Sequence, residues 1–276
     1  MKSFDFVSDL HLDFYSYGHV PQGKQKKMLV KYVQSLLPDE PSDVIIIGGD
    51  ISHYNVQFIW LFNELKNHYK HILFTTGNHD RYLINNNQCK KYDFNSDKRI
   101  DEIREIADRI DGVHYLDGTT IDIEGTVFGG FPGWHDGYYC REMGMVDEKK
   151  INDLYFERMM DGKCIKGLTE YDQYMNEEMD KLLRIVDESH VIVSHYGPMA
   201  PPNMPMKYQV LTSGFYYYEG REILSKDDPY CTNPLVYIFG HTHDQYDFMY
   251  HRTNLISNPI GYPHENWNAK IRNYIW

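Results

Sequence analysis

The 276 residues hold no apolar run near the ~20 residues of a membrane helix. The longest runs, such as Val44-Ile45-Ile46-Ile47, are of strand length. Cysteine is scarce: Cys89, Cys140, Cys164 and Cys231 lie far apart and form no Cys-x-x-Cys pair. That spacing excludes a zinc knuckle and reads as the reduced thiols of an intracellular protein, not a disulfide frame. Positive charge is also short, with 28 Lys and Arg against 40 Asp and Glu and a net charge of −12. Such a balance repels long polyanions at a distance and argues against a nucleic-acid coat protein, without excluding a local cationic site. No internal repeat or low-complexity linker occurs. The opening stretch Met1-Lys2-Ser3-Phe4-Asp5-Phe6-Val7 enters a strand-like alternation with no signal-peptide core, which predicts a cytoplasmic protein with no membrane partner.

What is present is a hydrophobic share of 42% with 25% charged residues, enough for a sizeable core and too apolar for a disordered chain. Strand-like runs are expected at Phe4–Ser8, Asp43–Ile47, His71–Thr75, Val113–Leu116, Thr120–Ile123, Thr126–Phe131, Val191–Ser194, Leu235–Phe239, Tyr246–Tyr250 and Asn254–Ser257. Helical spacing occupies Lys24–Leu37, Gln57–Asn67, Lys98–Ile110, Glu148–Met160 and Glu170–Asp187. The alternation in the first half predicts parallel βαβ units, while turns alone separate the strands from Val113 to Phe131, which predicts an antiparallel part. The expected architecture is α/β, a mixed sheet or two packed sheets with outer helices, in one domain spanning 1–276. Residues 133–189, largely helical and polar, read as an insertion over one sheet edge, with Glu170–Asp187 as a packed lid helix. Pro198, Pro201, Pro202 and Pro205 predict an extended loop after it.

The 14 histidines carry more information than their number suggests, because several fall in five short blocks where predicted strands end. The blocks are Asp9-Leu10-His11, Gly48-Gly49-Asp50, Gly77-Asn78-His79-Asp80, Ser194-His195 and Gly240-His241-Thr242-His243. Loops at the carboxyl ends of strands in an α/β sheet can converge on one ligand. Side chains two apart on extended chain point the same way, so Asp9 and His11 can hold one ion, and His241 and His243 can enter one site. Glycines at 48, 49 and 240 let the backbone turn tightly or approach closely. Asp50 has two oxygens and can bridge two metals, and Asn78 offers a neutral amide oxygen. Imidazole and carboxylate without thiolate favour first-row ions such as Mn, Fe, Co, Ni or Zn over calcium.

In this order the blocks resemble the signature of the calcineurin-like metallophosphoesterases: Asp-x-His, Gly-Asp, Gly-Asn-His-Asp/Glu, a lone His, and Gly-His-x-His. The resemblance spans residues 9 to 243. It implies a four-layer α/β/β/α sandwich and two divalent ions, one held by Asp9, His11, Asp50 and His243, the other by Asp50, Asn78, His195 and His241. It also implies that His79 is not a ligand and that it protonates or stabilises the leaving oxygen. Two divalent ions on only two carboxylates leave an excess of positive charge, which attracts phosphate even on an acidic protein. The implied reaction is in-line attack on the phosphorus of a phosphomonoester or phosphodiester by hydroxide bridging the ions.

Departures from the family's branches narrow the reading. Where the protein phosphatases resemble one another in Asp-Arg-Gly, this chain has His53-Tyr54-Asn55, against that activity. Gly49-Asp50-Ile51-Ser52-His53 instead resembles the block of the double-strand-break repair nucleases, so a nuclease acting on short or single-stranded nucleic acid is the alternative, although no basic DNA-binding region accompanies it. Asn258-Pro259-Ile260-Gly261-Tyr262-Pro263-His264-Glu265-Asn266 is similar to a bacterial and phage subgroup of cytosolic phosphoesterases, which more often has Arg at the place of Ile260. A second alternative is a metal-binding scaffold without chemistry, which predicts a missing ligand or a replaced His79; neither is seen.

Other residues carry two readings each. His53 is either a partner of the His79 ring or an exposed loop residue. Arg81 either contacts substrate or pairs with an acid. Asp80 is a turn or capping residue or a catalytic one. Trp134-His135 either lines the pocket or packs in the core, and Tyr216-Tyr217-Tyr218 either stacks a base or simply occupies a loop.

Overall fold

The computed structural model describes residues 3–15, 22–202, 204, 210–225 and 234–275. Pro205, Cys231 and His19 lie outside the described residues. The first sheet contains β1 (Ser3–Val7), β2 (Val44–Gly48), β3 (His71–Thr75) and β4 (Val113–Tyr115), paired in that order and parallel. The helices of this half are α1 (Leu12–Tyr15), α2 (Gln22–Leu36), α3 (Asn55–Leu65), α4 (Asn86–Lys91) and α5 (Asp97–Asp108). The second sheet holds β5 (Thr119–Ile123), β6 (Thr126–Gly130), β7 (Val191–Val193), β8 (Val236–Phe239), β9 (Asp247–Tyr250) and β10 (Thr253–Ser257), in the order β5-β6-β7-β8-β10-β9. Between β6 and β7 run α6 (Tyr138–Glu142), α7 (Glu148–Arg158), α8 (Asp161–Cys164) and α9 (Met175–Ile185); α10 is Arg221–Leu224. A last strand, β11 (Arg272–Ile275), returns to pair antiparallel with β1.

Strand periodicity explains the layering. In β2, Ile45 and Ile47 face the core that also holds Leu29, Val33, Phe58 and Ile103 from α2, α3 and α5. Val44 and Ile46 face the other way, into the core between the sheets with Phe4, Val193 and Ile238. A third core, on the far side of the second sheet, joins Ile192 and Tyr237 to Leu182 and Ile185 of α9. Helix, sheet, sheet, helix is the result: a four-layer α/β/β/α sandwich of two mixed sheets. Strands buried on both faces read as unbroken apolar runs, as Val44–Ile47 does.

Two expectations are corrected, and one strand is added. β4 is not antiparallel to β5; it pairs parallel with β3, and the chain crosses from one sheet to the other at the Asp117-Gly118 turn. Only β5 and β6 form the antiparallel hairpin there. Helix α9 is no lid: it packs on β5 and β6, because Leu182 and Ile185 point into the outer core. β11 was not foreseen, since Arg272-Asn273-Tyr274-Ile275 alternates half-buried and exposed residues at a sheet edge, with Tyr274 stacked on Phe4 at 5.2 Å.

The segment after β10 positions the site. Ser8 N–H donates to Asn258 O at 3.1 Å, Ile260 N–H to Ser8 O at 3.0 Å, and Gly261 N–H to Asp9 O at 2.9 Å. These bonds splice the second sheet's outgoing chain to the end of β1. Ile46→Ala, which empties a fully buried methyl-rich position between the sheets, is expected to lower unfolding free energy by about 2–5 kcal/mol in urea denaturation.

Candidate metal centre

The loops leaving β1, β2, β3, β7 and β8 meet at one edge, and their backbones are unusual. Nine described non-glycine residues have positive φ, and five of them are Asp9 (52°), His11 (41°), Asp50 (54°), His241 (71°) and His243 (55°). Left-handed backbone at such residues costs free energy and persists only where the surroundings over-determine it. Here they do. Asp9 N–H donates to Gly49 O and His11 N–H to Asp50 O, each at 3.0 Å, and His241 N–H donates to Asp9 Oδ1 at 3.0 Å. A Cβ on Gly240 would lie 2.7 Å from Asp9 Oδ2, so glycine is required by that approach.

Seven predicted donors converge in two groups. In the first, His11 Nε2 lies 3.0 Å from His243 Nε2, which is 3.5 Å from Asp9 Oδ1. In the second, His195 Nε2 lies 3.1 Å from His241 Nδ1, 3.1 Å from Asn78 Oδ1 and 3.4 Å from Asp50 Oδ2. The same Asp50 oxygen is 3.8 Å from His11 Nε2, between the groups. The ring nitrogen of His79 also falls within reach of His11 and Asp50.

The atoms facing inward are lone-pair carriers. His195 bonds Gly48 O through Nδ1 at 2.9 Å, and His243 bonds Glu265 Oε2 through Nδ1 at 2.6 Å, so once either ring gives up its second proton the inward Nε2 is bare. Burial holds His11 down at about 4 and His241 at about 3, keeping both neutral. Burial opposes charge on His195 as well, yet Asp50 lifts it to about 9. His243 behaves likewise: hydrogen bonds to Asp9 and Glu265 overcome burial and carry it to about 10. Asp9 sits at about 2, where burial is outweighed by His243. Each group therefore draws in one positive charge. Buried carboxylate and imidazole arranged this way fit a pair of divalent cations.

Beside them runs a chain of rings. Asp13 Oδ2 accepts from His53 Nδ1 at 2.8 Å, and His53 Nε2 is 2.9 Å from His79 Nδ1. With Asp13 fixing the tautomer, His53 Nε2 accepts from His79 Nδ1–H, and His79 Nε2 faces the cavity, 3.5 Å from Tyr262 Oη. Burial keeps His79 well below its ordinary range. His53 is thus the partner of the His79 ring and is largely buried, not an exposed loop residue.

Two buried groups hold these loops. Asp80 accepts Ile51 N–H at 3.0 Å and Ser52 N–H at 3.1 Å on one oxygen, and Gly77 N–H at 2.9 Å on the other, so it ties loops together and caps no long helix. Arg99 of α5 donates to Ser52 O, and at 3.0 Å each to His79 O and Tyr82 O, joining the loops that carry His53 and His79. The substrate-contact expectation for Arg81 is corrected: its buried guanidinium pairs with Asp97 and lies 4.3 Å from the centre of the Tyr174 ring, away from the cavity. Trp134 is core, its indole N–H donating to Tyr171 O at 2.7 Å, and His135 is buried beside it. Tyr216 and Tyr217 line the cavity, whereas Tyr218 packs in the outer core.

Sequence reasoning missed Asp13, Tyr82, Arg99, Asp161, Tyr262 and Glu265 as contributors. Asp13 continues the two-residue spacing of Asp9 and His11, and Tyr262 and Glu265 stand in the quoted 258–266 block; nothing local marks Arg99 or Asp161.

A cavity of about 550 Å³ opens over the donors, walled by Met159, Met160, Met204, Tyr216, Tyr217 and Tyr246.

A model of the calcineurin-like phosphoesterases matches residues 2–245. The uncharacterized protein L509 of Acanthamoeba polyphaga mimivirus is 22% identical over 293 residues, covering 100% of this chain and 96% of that protein. Among solved structures, the phosphopantetheinyl hydrolase PptH from Mycobacterium tuberculosis superposes with a TM-score of 0.71 at 19% identity, covering 99% of this chain and 95% of that one. That likeness shows a shared fold. With the family model matching most of its length, the chain belongs to the calcineurin-like phosphoesterase family.

Proposed function

We propose that this protein is a dimetal-dependent phosphoesterase that hydrolyses a phosphomonoester or phosphodiester. The observation that carries the reading is the pair of donor groups sharing Asp50 on the floor of the cavity, with His79 Nε2 facing the same space. Asp9, His11, Asp50 and His243 would hold one ion, and Asp50, Asn78, His195 and His241 the other. The donor set contains no thiolate, which suits Mn, Fe, Co, Ni or Zn. When bound, two divalent ions lower the pKa of water to roughly 7, so that hydroxide is available for in-line attack on phosphorus, and they neutralise charge on the transferring group.

The chain's own residues supply the rest. His79 Nε2, bare in the neutral ring, would take up a proton and hand it to the leaving oxygen, the transient cation being supported through His53 by the Asp13 carboxylate. His79 N–H donates to Asp50 Oδ1 at 2.9 Å, which fixes this ring relative to the shared carboxylate. Tyr216 and Tyr217 offer an aromatic wall to the alcohol portion of the substrate. The same wall keeps a nuclease reading in view, since unpaired bases stack on such rings. No described helix is long and apolar enough to cross a membrane, in keeping with a cytoplasmic enzyme acting on a diffusible phosphoester.

Turnover of bis-(p-nitrophenyl) phosphate against p-nitrophenyl phosphate with manganese separates diesterase from monoesterase. A phosphopantetheinyl ester belongs in the panel because the structural neighbour is named for hydrolysing that group. A labelled oligonucleotide left intact under the same conditions eliminates the nuclease. No turnover of any phosphoester by protein carrying both ions overturns the enzyme reading.

His79→Ala is expected to lower turnover roughly 10²–10⁴-fold with metal content unchanged, and Asp13→Asn by about 10–100-fold. Elemental analysis beside the kinetics checks both; loss of metal from His79→Ala would make His79 a ligand instead. His195 and His243, held above their ordinary 6.5, are charged at pH 7 in the metal-free chain. Metal must displace those protons, so loading at pH 7 should release about two protons per chain from these rings, with up to about one more as bound water ionises, and affinity should fall as the pH is lowered. Calorimetry in two buffers of different ionisation enthalpy measures the release.

A further inference from the structure

We propose that Asp161, on the helical segment between the strands β6 and β7, is a positioning residue that sets the orientation of the Asn78 amide. The inference rests on the dimetal reading above, in which Asn78 Oδ1 is a ligand.

A primary amide has two faces. Its oxygen can bind a cation, and its NH₂ repels one, so what lies behind the group decides whether it is a ligand. Behind Asn78 lies Asp161. Asn78 Nδ2 donates to Asp161 Oδ1 at 2.7 Å and to Tyr82 Oη at 3.3 Å, and Tyr82 Oη donates to the same Asp161 oxygen at 2.6 Å. The oxygen accepts from the amide whether or not the carboxyl is ionised. With Nδ2 taken up this way, Asn78 Oδ1 is left facing His195 Nε2 at 3.1 Å. A flipped amide would set an NH₂ among the second group's donors and lose the Asp161 bond.

No ion pair accounts for Asp161: the residue is fully buried, and no Lys, Arg or His pairs with it among the described residues. A buried carboxylate without an ion pair costs free energy, and burial pushes its carboxyl up accordingly. Its place is nonetheless rigidly specified. Leu83 N–H donates to Cys164 O at 2.9 Å, Ser96 N–H to Lys166 O at 3.1 Å, and Lys166 N–H to Ser96 Oγ at 2.9 Å. These bonds stitch the end of α8 to the chain on both sides of α4, directly after the Asn78–Tyr82 turn. The segment between β6 and β7 thereby reaches under the catalytic edge and aims one ligand.

The test is manganese binding, read by equilibrium dialysis and by the spin coupling of paired ions in electron paramagnetic resonance. Wild type is expected to bind two equivalents. Asp161→Leu, which keeps the bulk and removes the acceptor, is expected to bind one equivalent normally and the other about 10–100-fold more weakly, with the coupled signal lost. Asp161→Asn retains a carbonyl acceptor and should restore most of the second affinity. A merely structural role would weaken both equivalents together. Folded Asp161→Leu that binds two equivalents with wild-type affinities, or loses both alike, overturns the proposal. Where Asp161→Leu does not fold, the manganese-loaded wild-type crystal decides: Asn78 Oδ1 on the ion with Nδ2 on Asp161 supports the role, and an amide without that bond overturns it. Fewer than two equivalents in wild type refutes the dimetal reading itself, and this role with it.

Discussion

Asp50 is where the electrostatics of this molecule meet. One carboxylate, buried between two sets of imidazoles, faces more lone pairs than the surrounding donors can satisfy. Little of it is exposed, and no lysine or arginine pairs with it among the described residues. Positive charge must enter from elsewhere, as protons on His195 and His243 or as cations that replace them. The left-handed backbone at Asp9, His11, Asp50, His241 and His243 follows from this demand, because side chains from five loops can be crowded around one point only if the chain turns sharply beneath them.

A second tier of buried polar groups keeps that crowding reproducible. Asp80 and Arg99 spend their charge on backbone amides and carbonyls, which holds the loops after β2 and β3 in register. Asp13 and Glu265 each fix the tautomer of a histidine, His53 and His243, and Asp161 acts on an amide in the same manner. The imidazoles and the amide oxygen face the cavity, and the carboxylates behind them decide which atom each presents.

Much of this was legible in the residue order. The five blocks hold all seven side chains that converge at this edge, because they sit at strand ends and short spacings survive translation into space. Strands such as Val44–Ile47 were legible for the simpler reason that two buried faces leave no polar position. What escaped was long-range. Arg99 lies on an amphipathic helix where an arginine is unremarkable, and only folding brings it under Ser52 and His79. Asp161 follows two methionines in a polar stretch, 83 residues from its partner Asn78. β4 read as part of a hairpin because its turn is short, yet a short turn can equally carry the chain between two sheets. Arg81 carried two readings, substrate contact or acid pair, because its own loop says nothing of Asp97 and the distant Tyr174 ring that take up its guanidinium.

The splice between the end of β1 and residues 258–261 has a consequence for how the molecule is made. The first strand receives its edge partner from Arg272–Ile275, and His243 receives its carboxylate from Glu265. During vectorial synthesis the amino-terminal half can collapse around its helices, but the pocket stays open on one flank until Glu265 and Arg272–Ile275 have been made and have docked. The nest of histidines is thereby among the last parts of this fold to be enclosed, and Glu265 the last carboxylate to reach it.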